Sequence, residues 1–312
     1  MNLKEKRWAL CLLALPFLLY SCGGGSDDPT PPGPDTEGSV AITPDVSTHR
    51  PGALTYHFYG TDATTPYYKT VSCPDGNFSG TLPLGAYRVI AVNPASGVEF
   101  RNMAMYDQAA VHLATATPAS RADDFTMVSQ PGEVYAVVLN EITVSSQGKA
   151  SYAPAPDLLT QTLNLPFELS NGLEADVTAI AGTLRGVYPW VNLSTGTPAS
   201  AVEDCENTAV AFTAAGSGAQ RSARISLFGI CDPKGGEAYT NTLYLTLTLS
   251  NGTTEELAID LTDALTEAMA ENEGSLPLDL EIPIDLERVP IGLTATVGEW
   301  QTGGESEKEM QN

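Results

Sequence analysis

The sequence predicts an all-β chain built as two tandem β-sandwiches, with one short helix in the second. Two observations carry this. Short runs alternate apolar and polar residues along the body, and turn signals such as Asp75-Gly76 and Asn251-Gly252 punctuate them. One sandwich would be large for so long a body, and two of ordinary size can each bury a core.

The N-terminus is read first because it is not part of that fold. Lys4, Lys6 and Arg7 form a positive region, and Trp8 to Tyr20 an almost unbroken apolar one. That order is a secretory leader. The apolar run covers about 13 residues, short of the roughly 20 a membrane-crossing helix needs, and Pro16 interrupts it. The run ends in Leu19-Tyr20-Ser21-Cys22, which resembles the bacterial lipobox despite the bulk of Tyr20. Residues 1–21 are therefore expected to be cleaved, leaving Cys22 as the lipidated residue and the outer membrane as the partner it anchors to. The alternative is an ordinary leader cut near Ser21, with Cys22 an incidental thiol. Residues 22–38, rich in Gly, Pro and Asp, have no apolar side chain that could seat a core and read as a tether. Asp27 and Asp28, close behind Cys22, resemble the surface-export signals of Bacteroidota lipoproteins.

Within the body, Leu54, Tyr56 and Phe58 alternate with Thr55, His57 and Tyr59, a period-two strand. Strands over 67–73 and 77–82 flank Pro74-Asp75-Gly76, whose Asp-Gly predicts a hairpin. Residues 86–93 are apolar on both faces, as a central strand requires, and 134–144 is another strong strand. The periodicity then fails through Ala153-Pro154-Ala155-Pro156, which sets the boundary between sandwiches at 39–153 and 154–304. Beyond it, strands are expected over 163–169, 175–184, 209–213, 223–228, 242–250 and 254–261, the last two joined by a hairpin at Asn251-Gly252. A helix over 262–272 follows, with Thr262 as N-cap, Leu265 and Met269 on one face and Gly274 as its stop. Residues 282–300 read as one or two terminal strands, and 305–312 as a frayed charged tail.

Charge and cysteine usage narrow the partners. A formal net charge of −23 repels phosphate backbones, so nucleic acid and anionic membrane surfaces are poor partners. Of the 5 cysteines, Cys11 leaves with the leader and Cys22 is lipidated. Cys73, Cys205 and Cys231 remain, an odd number, so at least one cannot pair within the chain. Cys205 and Cys231 are candidates for a disulfide in an exported chain, or for two buried free thiols.

The search for chemistry is brief. His49, His57 and His112 share no zinc-ligand spacing, Ser217 is not in a nucleophile elbow, and no glycine-rich loop precedes a lysine. The acidic pairs Asp123-Asp124 and Glu255-Glu256 read as solvated charge. The expectation is no enzyme, no cofactor and no metal site. Tyr67, Tyr68, Tyr106 and Trp190 are the aromatics most able to stack on sugar rings, which keeps a glycan-binding surface lipoprotein as a second reading.

The segment Gly80-Thr81-Leu82-Pro83-Leu84-Gly85-Ala86-Tyr87-Arg88-Val89-Ile90-Ala91-Val92-Asn93 resembles the LPxGxYxVxxxN stretch of fimbrillin-associated lipoproteins of Bacteroidota, which include fimbrial anchor and tip subunits and an allied family of uncharacterised function. His49-Arg50-Pro51, Phe58-Tyr59, Gly182-Thr183-Leu184-Arg185-Gly186-Val187 and Asp260-Leu261-Thr262 are similar to further landmarks of that family in the same order. The resemblance implies two tandem transthyretin-like β-sandwich domains and a role as a fimbria-associated or adhesive subunit at the cell surface. Implied partners are other fimbrial subunits, or a host or bacterial surface ligand, engaged through β-strand addition. It also makes Arg50 a candidate processing site, against the plainer reading of a loop arginine.

Overall fold

The computed structural model describes residues 36–61, 68–116, 125–198, 205–231, 241–272, 277, 279–289 and 292–302. The leader, Cys22, residues 23–35 of the expected tether, Tyr67, Asp123-Asp124, Gly274 and the 305–312 tail lie outside the described residues, whereas Glu37 and Gly38, read as tether, are already part of a strand. From the N-terminal side the strands are β1 (Glu37–Ile42), β2 (Leu54–Gly60), β3 (Tyr68–Cys73), β4 (Phe78–Pro83), β5 (Gly85–Val92), β6 (Val98–Arg101), β7 (Ala110–Leu113), β8 (Thr126–Val128), β9 (Tyr135–Val144), β10 (Lys149–Tyr152) and β11 (Asp157–Leu158). There follow β12 (Gln161–Ser170), helix α1 (Leu173–Asp176), β13 (Val177–Arg185), β14 (Trp190–Asn192), β15 (Thr208–Thr213), β16 (Ala215–Ser217), β17 (Gln220–Leu227), β18 (Thr242–Leu249) and β19 (Thr254–Asp260). Helix α2 (Thr262–Glu271), β20 (Asp279–Glu281), β21 (Ile284–Val289), β22 (Gly292–Val297) and β23 (Gln301–Thr302) complete the chain.

The architecture is an all-β sandwich fold. In the first sandwich, a three-stranded sheet in the order β10-β1-β4 faces a five-stranded one in the order β11-β9-β5-β2-β3. Alternation explains the facing: Leu54, Tyr56 and Phe58 of β2 point inward with Val89 and Ala91 of β5, against Val40 and Ile42 of β1 and Phe78 and Leu82 of β4. Phe58 and Phe78 meet across the sheets with ring centroids 4.7 Å apart. Each such ring contributes about 1.5–3 kcal/mol by leaving water.

In the second sandwich, β12, β17, β20 and β21 face β13, β15, β18 and β19. Leu163, Leu165, Phe167 and Leu169 of β12 meet Leu243, Leu245 and Leu247 of β18, and Phe167 stacks on Phe212 at 6.4 Å. Leucines at every second position of β18 are all buried, as the alternation there predicts.

Strands also pair across the stretch at 153–156. β8 runs parallel to β15 from Thr208↔Thr126 to Val210↔Val128, and β7 is antiparallel to β14, with Trp190 opposite His112. β6, β7 and β14 form a three-stranded sheet of their own. Ile90, Val92, Val111, Val128 and Val134 belong to the same core as β12 and β18. The apolar outer face of β5 is buried against chain from both sides of that stretch.

Three local expectations are corrected. The 67–73 and 77–82 runs are strands, but not a hairpin: β3 pairs with β2 and β4 with β1, so Asp75-Gly76 turns the chain from one sheet into the other. Gly76 supplies the left-handed residue of that corner at φ 77, and a Cβ there would also meet the Gly52 carbonyl at 2.5 Å. The run from Ala175 opens with a helical turn, α1, before β13 begins at Val177. In α2 the N-cap is Leu261, and Thr262 Oγ1 accepts from the Asn241 amide instead.

Candidate functional site

β1 is an internal strand held between two others, and its surroundings are built residue by residue. It lies between β10, parallel from Ser39↔Lys149 to Ile42↔Tyr152, and β4, antiparallel from Glu37↔Pro83 to Ile42↔Phe78. Val40 and Ile42 are wholly buried while Glu37, Ser39 and the turn after Thr43 face outward. Gly38 is required by close approach, because a Cβ there would overlap the Ser145 carbonyl. Thr81 Oγ1 donates to Glu37 at 2.8 Å. Beyond the strand, the Thr43 and Asp45 amides still follow the β10 side, donating to Tyr152 and Pro154 carbonyls at 2.9 and 2.8 Å.

Arg50 stands exposed in the loop that leads from β1 to β2. A cavity of about 360 Å³ lies beside it, lined by Pro44, Val46, Pro51, Leu54 and Asp75. Hydrogen bonds from the Asn77 amide and side chain hold the Asp75 carboxyl below the usual carboxylate range.

Two of the four aromatics singled out for sugar stacking come together. Tyr59 on β2 sits between them, with ring centroids 5.4 Å from Tyr68 and 5.4 Å from Tyr106. The planes are tilted at 41° and 78°, so the three rings form no common platform. Their hydroxyls are engaged by protein: Tyr59 donates to the Met103 carbonyl, Tyr106 to Asn140 Oδ1, and Tyr68 bonds His57 Nδ1, each at 2.7 Å. Arg88 lies 4.9 Å from the Tyr106 ring centre and pairs with Asp107 at 3.1 Å. Burial raises the Tyr106 phenol, with Arg88 opposing that shift. Tyr68 remains 42% exposed, with His57 stacked against its ring at 6.0 Å between centroids, so part of the ring is open to a ligand. Trp190 is not in this cluster's ring contacts; it stacks on His112 at 5.7 Å.

Sequence reasoning missed Tyr59, Arg88, Asp107 and Asn140, which complete the cluster. The strand alternation sets Tyr59 and His57 on the face of β2 opposite Tyr56 and Phe58, which is the available signal, and that face is itself buried, with Tyr59 in the second core.

Cys205 and Cys231 are both buried, against Tyr188, and are joined as a disulfide with Cα atoms 5.9 Å apart, within the reach of a bridge. Cys73 is a buried free cysteine whose thiol is pushed up by burial and by Asp75. Among the described residues no group of three or more His, Cys, Asp or Glu is placed to hold a metal ion. No described helix is long and apolar enough to cross a membrane.

The all-β sandwich fold is shared with solved structures from Bacteroides and Porphyromonas. The chain belongs to the family described as Domain of unknown function (DUF5119), which matches residues 43–205. No curated protein matches it. A structure described as a candidate adhesin of Bacteroides ovatus is 15% identical, with TM-score 0.56, over 74% of this chain and 84% of the other. The fimbrial anchor protein Mfa2 of Porphyromonas gingivalis is 11% identical, with TM-score 0.51, over 85% of this chain and 97% of the other. A Bacteroides thetaiotaomicron structure, described as a candidate polysaccharide-binding protein, is 8% identical, with TM-score 0.52, over 86% and 99%. At these identities the likeness is one of fold.

Proposed function

We propose that this chain is a lipid-anchored protein of the outer membrane, facing the cell surface, that works without catalysis as a structural or adhesive subunit of a fimbria-type fibre. The observation that carries the reading is β1: a single strand, with two fully buried side chains, held between β10 and β4 and followed by the exposed Arg50 loop. Cleavage after Arg50 cuts the loop between β1 and β2 and frees residues up to Arg50 to leave. A strand from another subunit then takes the same slot, pairing with β10 and β4 through main-chain hydrogen bonds and seating alternate side chains where Val40 and Ile42 sat. Structures of the same fold described as adhesins and as a fimbrial anchor support this reading. A chain that keeps both Cys22 and β1 suits the base of a fibre, whereas a cut chain suits a position along it.

The second reading, binding of surface glycans, is favoured by one observation, the part-exposed ring of Tyr68 beside Tyr59 and Tyr106. Deleting the gene and measuring fibre number, length and attachment separates the two. Changed fibres support the first reading, and Arg50→Ala tells whether a cut there is part of it. Unchanged fibres and adhesion, together with binding of a defined glycan that Tyr68→Ala abolishes, replace it with the second.

A further inference from the structure

We infer that the protein stands end-on to the membrane, first sandwich inward and second sandwich outward, so that the loops at 171–172, 215–219 and 250–253 form its outermost face. The inference rests on the proposed anchor at Cys22 and adds a direction to it.

The argument is one of connectivity and register. The tether enters the fold at Thr36, whose carbonyl accepts from the Leu84 amide at 3.0 Å. Glu37 pairs with Pro83 and Gly85 with Val144, so the β4–β5 connection and the exposed Ser145–Gly148 turn lie at this end of the first sandwich. At the other end of the same strands, the Val134 carbonyl accepts from Leu159, and the Val134 amide donates to Thr160. The chain thus leaves the first sandwich at the end opposite the tether.

The second sandwich is gripped at one end only, among the described contacts. Its register sets Gln161 beside Leu227 and Leu184 beside Leu243 at one end, with Glu168 beside Gln220 and Val177 beside Leu249 toward the other. The links to the first half fall on the first of these. β8 pairs with Thr208–Val210, Leu113 bonds Pro189, Leu193 bonds Ala109, and Arg185 lies 5.1 Å from the Phe125 ring centre. The far end carries Asn171, Gly172, Ala215–Ala219 and Ser250–Thr253, all exposed. Cys22 and Thr36 stand fourteen positions apart in sequence, and a flexible chain of that length has a root-mean-square reach of roughly 20 Å. The negative charge of the body opposes its lying flat on an anionic leaflet. A partner arriving from outside therefore meets the loops of the second sandwich first.

The test uses the full lipidated chain, purified in detergent and incorporated into vesicles of phosphatidylethanolamine and phosphatidylglycerol carrying a headgroup acceptor dye. Gln147→Cys and Ser217→Cys, both at exposed positions, take a donor dye, while Cys73 is buried and Cys205 and Cys231 are joined. Energy transfer from position 147 is expected to be several-fold stronger than from 217. Equal or reversed transfer in a chain that floats with the vesicles overturns the orientation and leaves the anchor standing. Failure of the native chain to float, or equal flotation of Cys22→Ala, overturns the anchor and the orientation with it.

Discussion

His57 and His112 lie on β2 and β7, and burial is the first cause that lowers the pKa of each. Arg101 lowers His112 further, while Glu99 opposes. A histidine held neutral in the folded state binds its proton more readily once unfolded. Its contribution to stability is therefore present above the unfolded value of about 6.5 and is lost as pH falls through the folded one. Urea midpoints are expected to fall between pH 7.5 and 5.5, and His57→Gln to flatten part of that slope; an unchanged slope in the variant removes His57 from the account. Gly182 gives a second residue-scale expectation. A Cβ there would overlap the Phe212 ring and approach the Tyr244 carbonyl at 2.8 Å, which explains glycine in the Gly182-Thr183-Leu184 segment of this central strand. Gly182→Val is expected to destabilise by about 1–3 kcal/mol through overpacking, read from denaturant midpoints, while Gly172→Ala, open to solvent, tests only the cost of its positive φ.

At the scale of elements, the disulfide between Cys205 and Cys231 joins chain 26 residues apart, next to the turn where Val187 bridges Ile230. Alkylation of the unfolded, unreduced mature chain is expected to modify Cys73 and neither partner of the bridge. Cys205→Ser should cost about 2–4 kcal/mol, the usual range for a bridge closing a loop of this size. Modification of all three thiols in the unfolded, unreduced chain would mean two free cysteines and no bridge. The pairing was legible only as an option, since spacing along the chain does not give distance in space. What the sequence revealed well were long strands: β12, β18 and β19 follow a one-sided alternation, because burying one face fixes the period, and β5 reads as central from two apolar faces. Short strands such as β6, β7, β8 and β14 were not legible. They hold three or four residues each, and apart from the β6–β7 pair their partners lie far along the chain, so no local pattern marks them. The Asp75-Gly76 turn shows the same limit: the dipeptide fixes a sharp reversal of the chain, but not which sheet receives the next strand. At the candidate site, β1 has the buried alternation of Val40 and Ile42, yet its position between two partners needs the whole sheet. The meeting of Tyr68 with Tyr106 needs Tyr59 between them, contributed by the neighbouring strand.

The whole molecule poses the question of how far its two sandwiches are separate bodies. One core is drawn entirely from the first half, from Val40 to Val144, with Tyr152 against it. The other takes side chains from both halves, including Val92, Val111 and Val134 on one side and Leu163, Val191 and Val210 on the other. The family match from residue 43 to 205 likewise runs across the 153–154 boundary. Independence of folding and susceptibility to cutting are then different properties. We propose that the boundary between 39–153 and 154–304 holds for the second: the exposed Ala153 and Ala155 are where a protease can reach the chain between the halves. A cut there breaks one covalent link and leaves β7 on β14, β8 on β15 and the shared core in place. Limited proteolysis is therefore expected to give two fragments under denaturing conditions that elute together as one species in native size exclusion. Denaturation of the nicked protein should show one transition, and its midpoint should fall on dilution because refolding must bring two fragments together. Fragments that separate natively, each with its own unfolding transition, would mean that the pairing across the boundary contributes little and that each sandwich folds on its own core.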